Sequence, residues 1–298
     1  MARTAADVPH AGNGVDRLDE ELAGLDALQL DVGREPLAWR VWRAAWPKAA
    51  AAALGITLWQ VVVWSGWKPD YLLPPPGPVF SRLWDSLTDG PLPEAMAHTM
   101  VRAFVGFGLA VIIGTVVGSV VARVHLVRTA FGSFITGLQT MPSIAWFPLA
   151  ILTFGLTEGA IRFVVVLGAA PAIANGLVTG TDQIPPILLR AGRVLGARGL
   201  SAYRHVILPA SLPSYVGGLK QGWAFAWRSL MAGELLGVVP GEQSIGVLMQ
   251  NSRSLQDAEG LLAYMVVILV IGIVVDSVFF GTLERSIRRR WGLLDPAT

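Results

Sequence analysis

The chain of 298 residues has no cysteine, four histidines and only 15% charged residues, and each shortage excludes a class of function. Without cysteine there are no disulfides, thiolate metal sites or cysteine nucleophiles. The histidines are far apart and match no metal-ligand spacing; they are His10, His98, His125 and His205. No G-x-x-x-x-G-K-S/T sequence occurs, so this chain has no Walker loop for nucleotide phosphates. We expect neither a cofactor nor a metal site in it.

Apolar sequence is abundant instead. Hydrophobic residues make up 53% of the chain, and its charged fraction is well below the roughly 25% of soluble domains, which indicates an integral membrane protein. The formal net charge is only +2, and the arginines stand at the ends of apolar runs, so nucleic-acid binding explains the composition poorly. Residues 1–45 lack a short apolar core with a cleavage site, so we expect no secretory signal peptide.

Six stretches are long and apolar enough to cross a bilayer as helices, which predicts an all-α membrane protein. They cover roughly residues 48–66, 99–122, 132–154, 160–180, 216–239 and 261–282. Prolines interrupt the third stretch at Pro142 and Pro148 and the fourth at Pro171. Such breaks persist in membranes only where neighbouring helices or water satisfy the freed backbone groups. The third and fourth stretches are therefore expected in the interior of the bundle, and Pro142 and Trp146 along a pathway.

Basic residues mark one side of the membrane. They concentrate before the first stretch, at Arg123 and Arg128, in the connector that reaches Lys220, and after residue 284. Since cytoplasmic loops are rich in Lys and Arg, both termini are expected in the cytoplasm. The predicted organisation is a tail (1–45), a first span with an outer segment (46–98), a core (99–284) containing a cytoplasmic loop (181–215), and a basic tail (285–298). Leu18, Leu22, Leu25 and Leu28 follow helical spacing, which fits either a solvated tail or an amphipathic helix resting on a partner.

The second stretch is rich in glycine, with Gly106, Gly108, Gly114 and Gly118. Small residues let helices approach closely in lipid, so this face is expected to contact another helix. A flexible gate is the alternative.

Ionisable residues inside membrane spans are costly and often functional. The candidates for a translocation pathway are Arg162, Arg228, Glu234 and Asp276. Arg162 stands near a span end and can extend to the interface. Glu234 and Asp276 fit a structural role and a pathway role equally well. Glu158, between the third and fourth stretches, is expected to be solvated.

The connector between the fourth and fifth stretches carries the strongest signal. Residues 187–198 lack helix breakers apart from Gly192 and Gly196, so a short helix is expected there. Leu188, Ala191 and Leu195 fall on one face of that helix, and Pro209 stiffens the return to the membrane. Such a helix can transmit movement from a cytosolic partner to the spans, although an ordinary basic loop would have a similar composition.

This connector resembles the EAA loop of bacterial ABC importer permeases, Glu-Ala-Ala-x3-Gly-x9-Ile-x-Leu-Pro. Arg190, Ala191 and Gly192 stand at its first three positions, Gly196 at the glycine, Val206 at the isoleucine, and Leu208-Pro209 at its end. Arg190 departs from the family's glutamate. The likeness extends over about residues 70–292, and the segments Pro142–Leu149 and Phe154–Leu156 resemble the aliphatic sulfonate, taurine and nitrate branch.

The resemblance implies a type I importer with a MetI-like fold in a bacterial plasma membrane. Its partners would be a second copy of this permease, two cytosolic ATPase subunits that bind ATP and Mg²⁺, and an extracytoplasmic solute-binding protein. Arg190, Ala191, Gly192, Leu195, Gly196, Val206, Leu208 and Pro209 would then couple the permease to the ATPase. A sulfonate or taurine is the expected solute, with nitrate, bicarbonate, riboflavin or a pyrimidine as alternatives. Two other classes of protein compete with the importer subunit: a stand-alone transporter or channel, and a membrane enzyme.

Overall fold

The computed structural model describes residues 37–237, 239 and 241–290, and these residues are folded almost entirely as helices. The leucine pattern of residues 18–28 lies outside the described part. The helices are α1 (Leu37–Trp64), α2 (Pro76–Thr88), α3 (Leu92–Arg123), α4 (His125–Thr140), α5 (Phe147–Phe154), α6 (Glu158–Asp182), α7 (Pro186–Val194), α8 (Leu208–Leu235), α9 (Ile245–Ser254), α10 (Ala258–Val274) and α11 (Gly281–Arg290). A 3₁₀ turn (Ser143–Trp146) precedes α5, and π turns precede α8 (Tyr203–Ile207) and α11 (Val275–Phe280).

The chain forms two compact units, the first ending at Val62 within α1 and the second beginning at Val63. Helix α1 begins at Leu37, inside the segment predicted to be a tail, and α11 continues to Arg290, inside the predicted basic tail.

Among the described residues, four helical segments are long and apolar enough to cross a membrane. They are Ala45–Trp64, Leu92–Arg123, Glu158–Asp182 and Ala258–Ile287, and the bent pair Leu126–Thr140 and Ser143–Phe154 would make a fifth. The two members of that pair meet at 104°, at the Pro142 break anticipated from the sequence. Helix α8 covers most of the predicted fifth span but is not among these segments. The six-span count therefore stays a prediction.

Helix α6 lies at the centre of the core, packed between α3 and α8. Glycines make both crossings close. A Cβ added to Gly118 would lie 2.9 Å from the Cα of Ala174, and one added to Gly114 would lie 2.7 Å from the Ala170 carbonyl oxygen. On the other side, a Cβ on Gly218 would lie 2.7 Å from the Cα of Gly176. The helix-contact prediction for the second stretch is thus confirmed, although Gly108 faces open space.

The interior position predicted for the fourth stretch is confirmed, because α6 buries residues along most of its length, including Pro171. The third stretch behaves differently. Helix α5 inserts Phe147 and Ala150 into the core, whereas among the side chains of α4 that the structure describes the buried apolar one is Ile135. The sharp bend explains this difference, since it directs α4 away from the axis that α5 follows.

The segment before the core is anchored to the last helices. Arg82 of α2 lies 3.4 Å from Asp257, whose carboxylate also accepts the Gly260 N–H at the start of α10. Ser86 forms a 3.2 Å hydrogen bond with the Tyr264 hydroxyl. Helix α2 is thereby fixed against α10.

Candidate functional site

The predicted short helix of the connector is present as α7. It starts at Pro186. Proline suits the first helical turn because a backbone N–H at that position would have no acceptor within the helix, so its absence costs nothing. It ends in a Schellman motif: the Gly196 N–H donates to the Arg193 carbonyl at 3.1 Å and the Ala197 N–H to the Gly192 carbonyl at 2.9 Å. Gly196 has φ +84°, a left-handed conformation that favours glycine. The second glycine of the loop motif therefore ends the helix.

The first glycine of the motif has a packing role. Gly192 is the buried residue of α7, and a Cβ added to it would lie 2.8 Å from Cγ2 of Val206. Val206 belongs to the π turn that leads into α8. This contact joins α7 to the base of α8 and explains why Gly192 and Val206 occur together.

The remaining surface of α7 is open and largely apolar. Val194 and Leu195 are 87% and 85% exposed, and Ile187 is 68% exposed. Leu188 and Ala191, predicted to share a face with Leu195, are exposed as well, as are Arg190 and Arg193. A short helix that is fixed at Gly192 and shows apolar side chains elsewhere has the character of a docking surface.

Polar contacts tie both ends of the connector to the core. Arg128 of α4 forms a two-point ion pair with Asp182 at the end of α6, one contact being 2.6 Å. At the other end, the Arg123 guanidinium lies 3.8 Å from the ring centroid of Tyr203, whose hydroxyl donates to Ser119 at 3.4 Å. Movement of α7 would therefore reach α3, α4, α6 and α8.

Leu208 and Pro209 complete the predicted coupling set. Both stand in the first turn of α8, where proline is tolerated, and Leu208 is 43% exposed.

Glu234, a predicted pathway residue, lies at the centre of what we call the buried ion-pair cluster: Thr99, Arg102, Glu158, Glu234 and Gly246. Its side chain is fully buried. It accepts hydrogen bonds from the Thr99 hydroxyl at 3.0 Å and from the Gly246 N–H at 3.1 Å, and Arg102 lies 3.4 Å away. Charged groups are found buried when they are paired and hydrogen-bonded in this way.

The sequence did not predict the other half of the buried ion-pair cluster, which is the pair Arg102 and Glu158. Arg102 lies 2.6 Å from Glu158, so the expectation that Glu158 is merely solvated is wrong. Glu158 is the first residue of α6 and is also 4.0 Å from Arg162. An arginine inside the apolar second stretch was the available signal, because such a residue needs a partner at that depth. Arg162 and Glu234 are thus linked through Arg102 and Glu158.

Asp276 has a different partner. It stands in the π turn before α11, 3.3 Å from Lys220 of α8. Lys220, which the sequence groups with the cytoplasmic basic residues, lies within α8 and pairs with a residue of another helical segment. Both side chains are partly exposed.

The remaining pathway residues lie at the bend and on α8. Pro142 is exposed at the break, Trp146 is half-buried, and Arg228 is exposed. The Ser229 hydroxyl donates to Ser143 at 2.8 Å, which holds the bend against α8 next to Arg228. The described part of the chain contains no group of three His, Asp or Glu residues that could hold a metal ion.

Taken together, a helical membrane domain with a short amphipathic helix between two of its central helices defines a transport permease. The family model for the binding-protein-dependent transport system inner membrane component matches residues 79–289, and the chain belongs to this family. It is therefore the membrane subunit of an ABC importer rather than its ATPase.

Curated relatives agree with this assignment. The chain is 28% identical over 245 residues to an aliphatic sulfonates transport permease of Escherichia coli (81% of this chain and 89% of the relative). It is 26% identical over 247 residues to the taurine transport system permease of the same organism (79% and 88%). The riboflavin transport system permease of Chloroflexus aurantiacus is 30% identical over 253 residues (83% and 92%).

Solved structures show the same fold. The methionine ABC transporter MetNI in an inward-facing conformation matches with a TM-score of 0.53 at 22% identity, covering 63% of this chain and 92% of the matched chain. An amino acid ABC transporter crystallised with histidines gives 0.55 at 16% identity, covering 70% and 98%. The MetI-like fold expected from the resemblance is thereby confirmed.

Proposed function

We propose that this permease pairs with a second copy of itself and with two cytosolic ATPase subunits, and moves a small organic anion delivered by an extracytoplasmic solute-binding protein. The solute is an aliphatic sulfonate or taurine. The chain crosses a bacterial plasma membrane six times, with both termini in the cytoplasm. ATP and Mg²⁺ belong to the ATPase partners.

The geometry of α7 carries this proposal. Its exposed apolar residues, Val194 and Leu195 above all, provide a surface for the ATPase, while its buried side contacts the base of α8 through Gly192 and Val206. ATP favours the closed ATPase dimer, and closure moves the two α7 helices together. Because the connector is tied to α3 and α4 through Arg123 and Arg128, the spans follow this movement.

The solute assignment rests on the relatives. Two of them are named for aliphatic sulfonates and taurine, and the Pro142–Leu149 segment resembles the same branch. A riboflavin-type solute is the second candidate, because the relative named for riboflavin transport shares 30% identity over 253 residues. The proposed pathway residues are Pro142, Trp146, Arg162, Arg228, Glu234 and Asp276.

Reconstitution tests the function directly. The permease is assembled in proteoliposomes with its ATPase and solute-binding protein, and uptake of labelled taurine, an alkanesulfonate and riboflavin is measured with and without ATP. We expect ATP-dependent uptake of taurine or the sulfonate. Uptake by the permease alone, without the ATPase, would contradict the importer mechanism.

Cross-linking tests the docking surface. Because the chain has no cysteine, single cysteines at Ala191 and Leu195 give unambiguous products, and both positions are exposed. We expect both to cross-link to the ATPase, and a matched cysteine at Leu255, exposed in the turn before α10, to give none. Failure of both α7 positions to capture the ATPase in an active importer would refute the coupling role.

A further inference from the structure

One side of helix α8 carries polar side chains that remain exposed after the described helices of the second unit have packed together. Gly217, Gln221, Ala224 and Arg228 follow the spacing i, i+4, i+7, i+11 and so share one side of the helix, which we call the Arg228 face. Gly217, Gln221 and Arg228 are exposed and Ala224 is half-buried, whereas most other residues of the helix from Val216 to Glu234 are buried or half-buried. In lipid, such a stripe would leave polar groups unsatisfied.

Arg228 lies well inside the bundle along its length, although its side chain is exposed at the side of α8. Trp223, five residues before it, packs against Phe104 and Phe107 at 5.5 and 5.3 Å between ring centroids, near the middle of the 32-residue α3. Glu234, six residues after it, bonds to Thr99. Arg228 lies between these two levels. Thr99 is itself seven residues inside α3, about 10 Å from the start of that helix. Arg228 is therefore within the apolar part of the bundle.

The Arg228 guanidinium carries no neutralising partner in the described part of the chain. Its contacts are the Ala224 carbonyl, to which Nε donates at 3.2 Å, and the Phe225 ring, whose centroid is 5.1 Å from Cζ. Three other cations within the core helices have carboxylate partners: Arg102 with Glu158 and Glu234, Lys220 with Asp276, and Arg162 more loosely with Glu158. Arg123, at the end of α3, stacks on the Tyr203 ring instead. An uncompensated arginine at this depth requires water or an anion.

The bend of the third stretch gives a second, independent indication of water. Met141 and Pro142 have extended backbone, with ψ values of 128° and 129°, and both are exposed, as is Ile144. Non-helical backbone at membrane depth occurs only inside protein or beside a water-filled cavity. The Ser143–Ser229 hydrogen bond fixes this bend beside the Arg228 face. The bend is thus held against α8 at the residue next to Arg228.

From these observations we infer that the Arg228 face and the Pro142–Trp146 bend line a water-filled recess in which Arg228 binds the oxyanion head group of the transported solute. The inference deepens the proposed function and rests on it, because it makes an anionic head group the feature that the pathway selects. The guanidinium provides two-point hydrogen bonding to sulfonate oxygens. Gln221, about two turns closer to the start of α8, supplies a further hydrogen bond. An uncharged solute gains nothing from the site.

Accessibility is the first test. Single cysteines replace Arg228 and Gln221 in the assembled importer, and the rate of labelling by the water-soluble 2-sulfonatoethyl methanethiosulfonate is measured. Ile112→Cys is the matched control, since Ile112 is 64% exposed but lies on an apolar face of α3. We expect labelling at both α8 positions at least about tenfold faster than at the control, because the reagent needs water. Ethanesulfonate should slow labelling at Gln221→Cys, which keeps the Arg228 guanidinium, whereas uncharged dimethyl sulfone should not.

Uptake is the second test. Arg228→Gln should lower ATP-driven ethanesulfonate uptake by about tenfold or more, while Arg228→Lys should keep part of it, because lysine retains the charge but not the two-point hydrogen bonding. Arg253→Gln, a matched change at an exposed arginine of α9, should leave uptake unchanged.

The possible outcomes separate this inference from the importer proposal. Absence of labelling at Arg228→Cys and Gln221→Cys would overturn it, and so would labelling of Gln221→Cys without protection by ethanesulfonate. Undiminished uptake by Arg228→Gln would also overturn it while leaving the importer intact. If lipid phosphate, rather than the solute, occupies Arg228, protection will depend on anionic lipid in the vesicles and not on ethanesulfonate, which also overturns it. Failure of ATP-dependent uptake for every solute would count against the importer proposal alone.

Discussion

At the scale of single residues, the molecule places its charges in two contrasting settings. Glu234 is fully buried and has polar neighbours in Thr99, Gly246 and Arg102, the last of which joins it to Glu158. Arg228, by contrast, is exposed, and its contacts in the described part of the chain are a carbonyl and a ring of its own helix. A charge satisfied on all sides stabilises a structure, whereas an unsatisfied one has the capacity to bind a ligand.

Replacing Glu234 should therefore affect stability strongly. Glu234→Leu leaves Arg102 with only Glu158, and breaking a buried pair by removing one partner costs about 3–5 kcal/mol. Glu234→Gln should cost less, because an amide oxygen still accepts from Thr99 and Gly246. The measurement is the thermal unfolding midpoint of the purified permease in detergent.

The control for this change is Glu242→Gln. Glu242 is also paired, at 3.2 Å with His98, but its side chain is 49% exposed. Exposed pairs contribute about 0–1 kcal/mol, so the midpoint should hardly move. Equal destabilisation by Glu234→Leu and Glu242→Gln would show that the buried ion-pair cluster has no special role.

At the scale of helices, close approach of α6 to its two neighbours organises the core. Gly114 and Gly118 of α3 meet the backbone of α6 at Ala170 and Ala174, and Gly176 of α6 meets Gly218 of α8. Without a hydrophobic driving force in lipid, contact of this kind supplies the dispersion attraction that holds helices together.

Two glycine substitutions in α3 should consequently have opposite effects. Gly118→Ala would place a methyl group 2.9 Å from backbone atoms of Ala174, which cannot move aside, and overpacking of this kind costs about 1–3 kcal/mol. Gly108→Ala meets nothing within 4 Å, so its higher helix propensity should stabilise the fold by about 0.5–1 kcal/mol. Thermal unfolding of both variants is the check, and shifts of the same sign would contradict the packing argument.

At the scale of the whole molecule, the proposed mechanism depends on α7 being on the ATPase side of the membrane. The connector with α7 precedes α8 in the chain, and the turn after α9 follows it. The proposed topology, with six crossings and cytoplasmic termini, puts the first inside the cell and the second outside.

Cysteine labelling of intact cells tests this topology. Leu195 and Leu255 are 85% and 79% exposed, and the chain has no native cysteine to interfere. A membrane-impermeant maleimide should label Leu255→Cys in intact cells and Leu195→Cys only after permeabilisation. The reverse pattern would place α7 outside and invalidate coupling to a cytosolic ATPase.

The sequence alone determined the membrane class, the helical fold, the bend at Pro142, the close glycine face of α3 and the short helix α7. These features depend on composition and on local spacing: apolar length, proline geometry, and glycines where a side chain has no room. The loop motif could be recognised because Gly196 ends a helix and Gly192 leaves room for the Val206 side chain. Both requirements lie within one short segment of the chain.

Only the tertiary structure decided which charges are paired. Arg102 meets Glu158 and Glu234 across 56 and 132 positions of the chain, and Lys220 meets Asp276 of another helix. Local spacing carries no information about such contacts, because partners are chosen by how α3, α6, α8 and α10–α11 pack. For the same reason, the sequence offered Arg162, Arg228, Glu234 and Asp276 as candidates without showing which of them would be paired. In the described part of the chain, the packing leaves Arg228 as the one of these four without an oppositely charged partner.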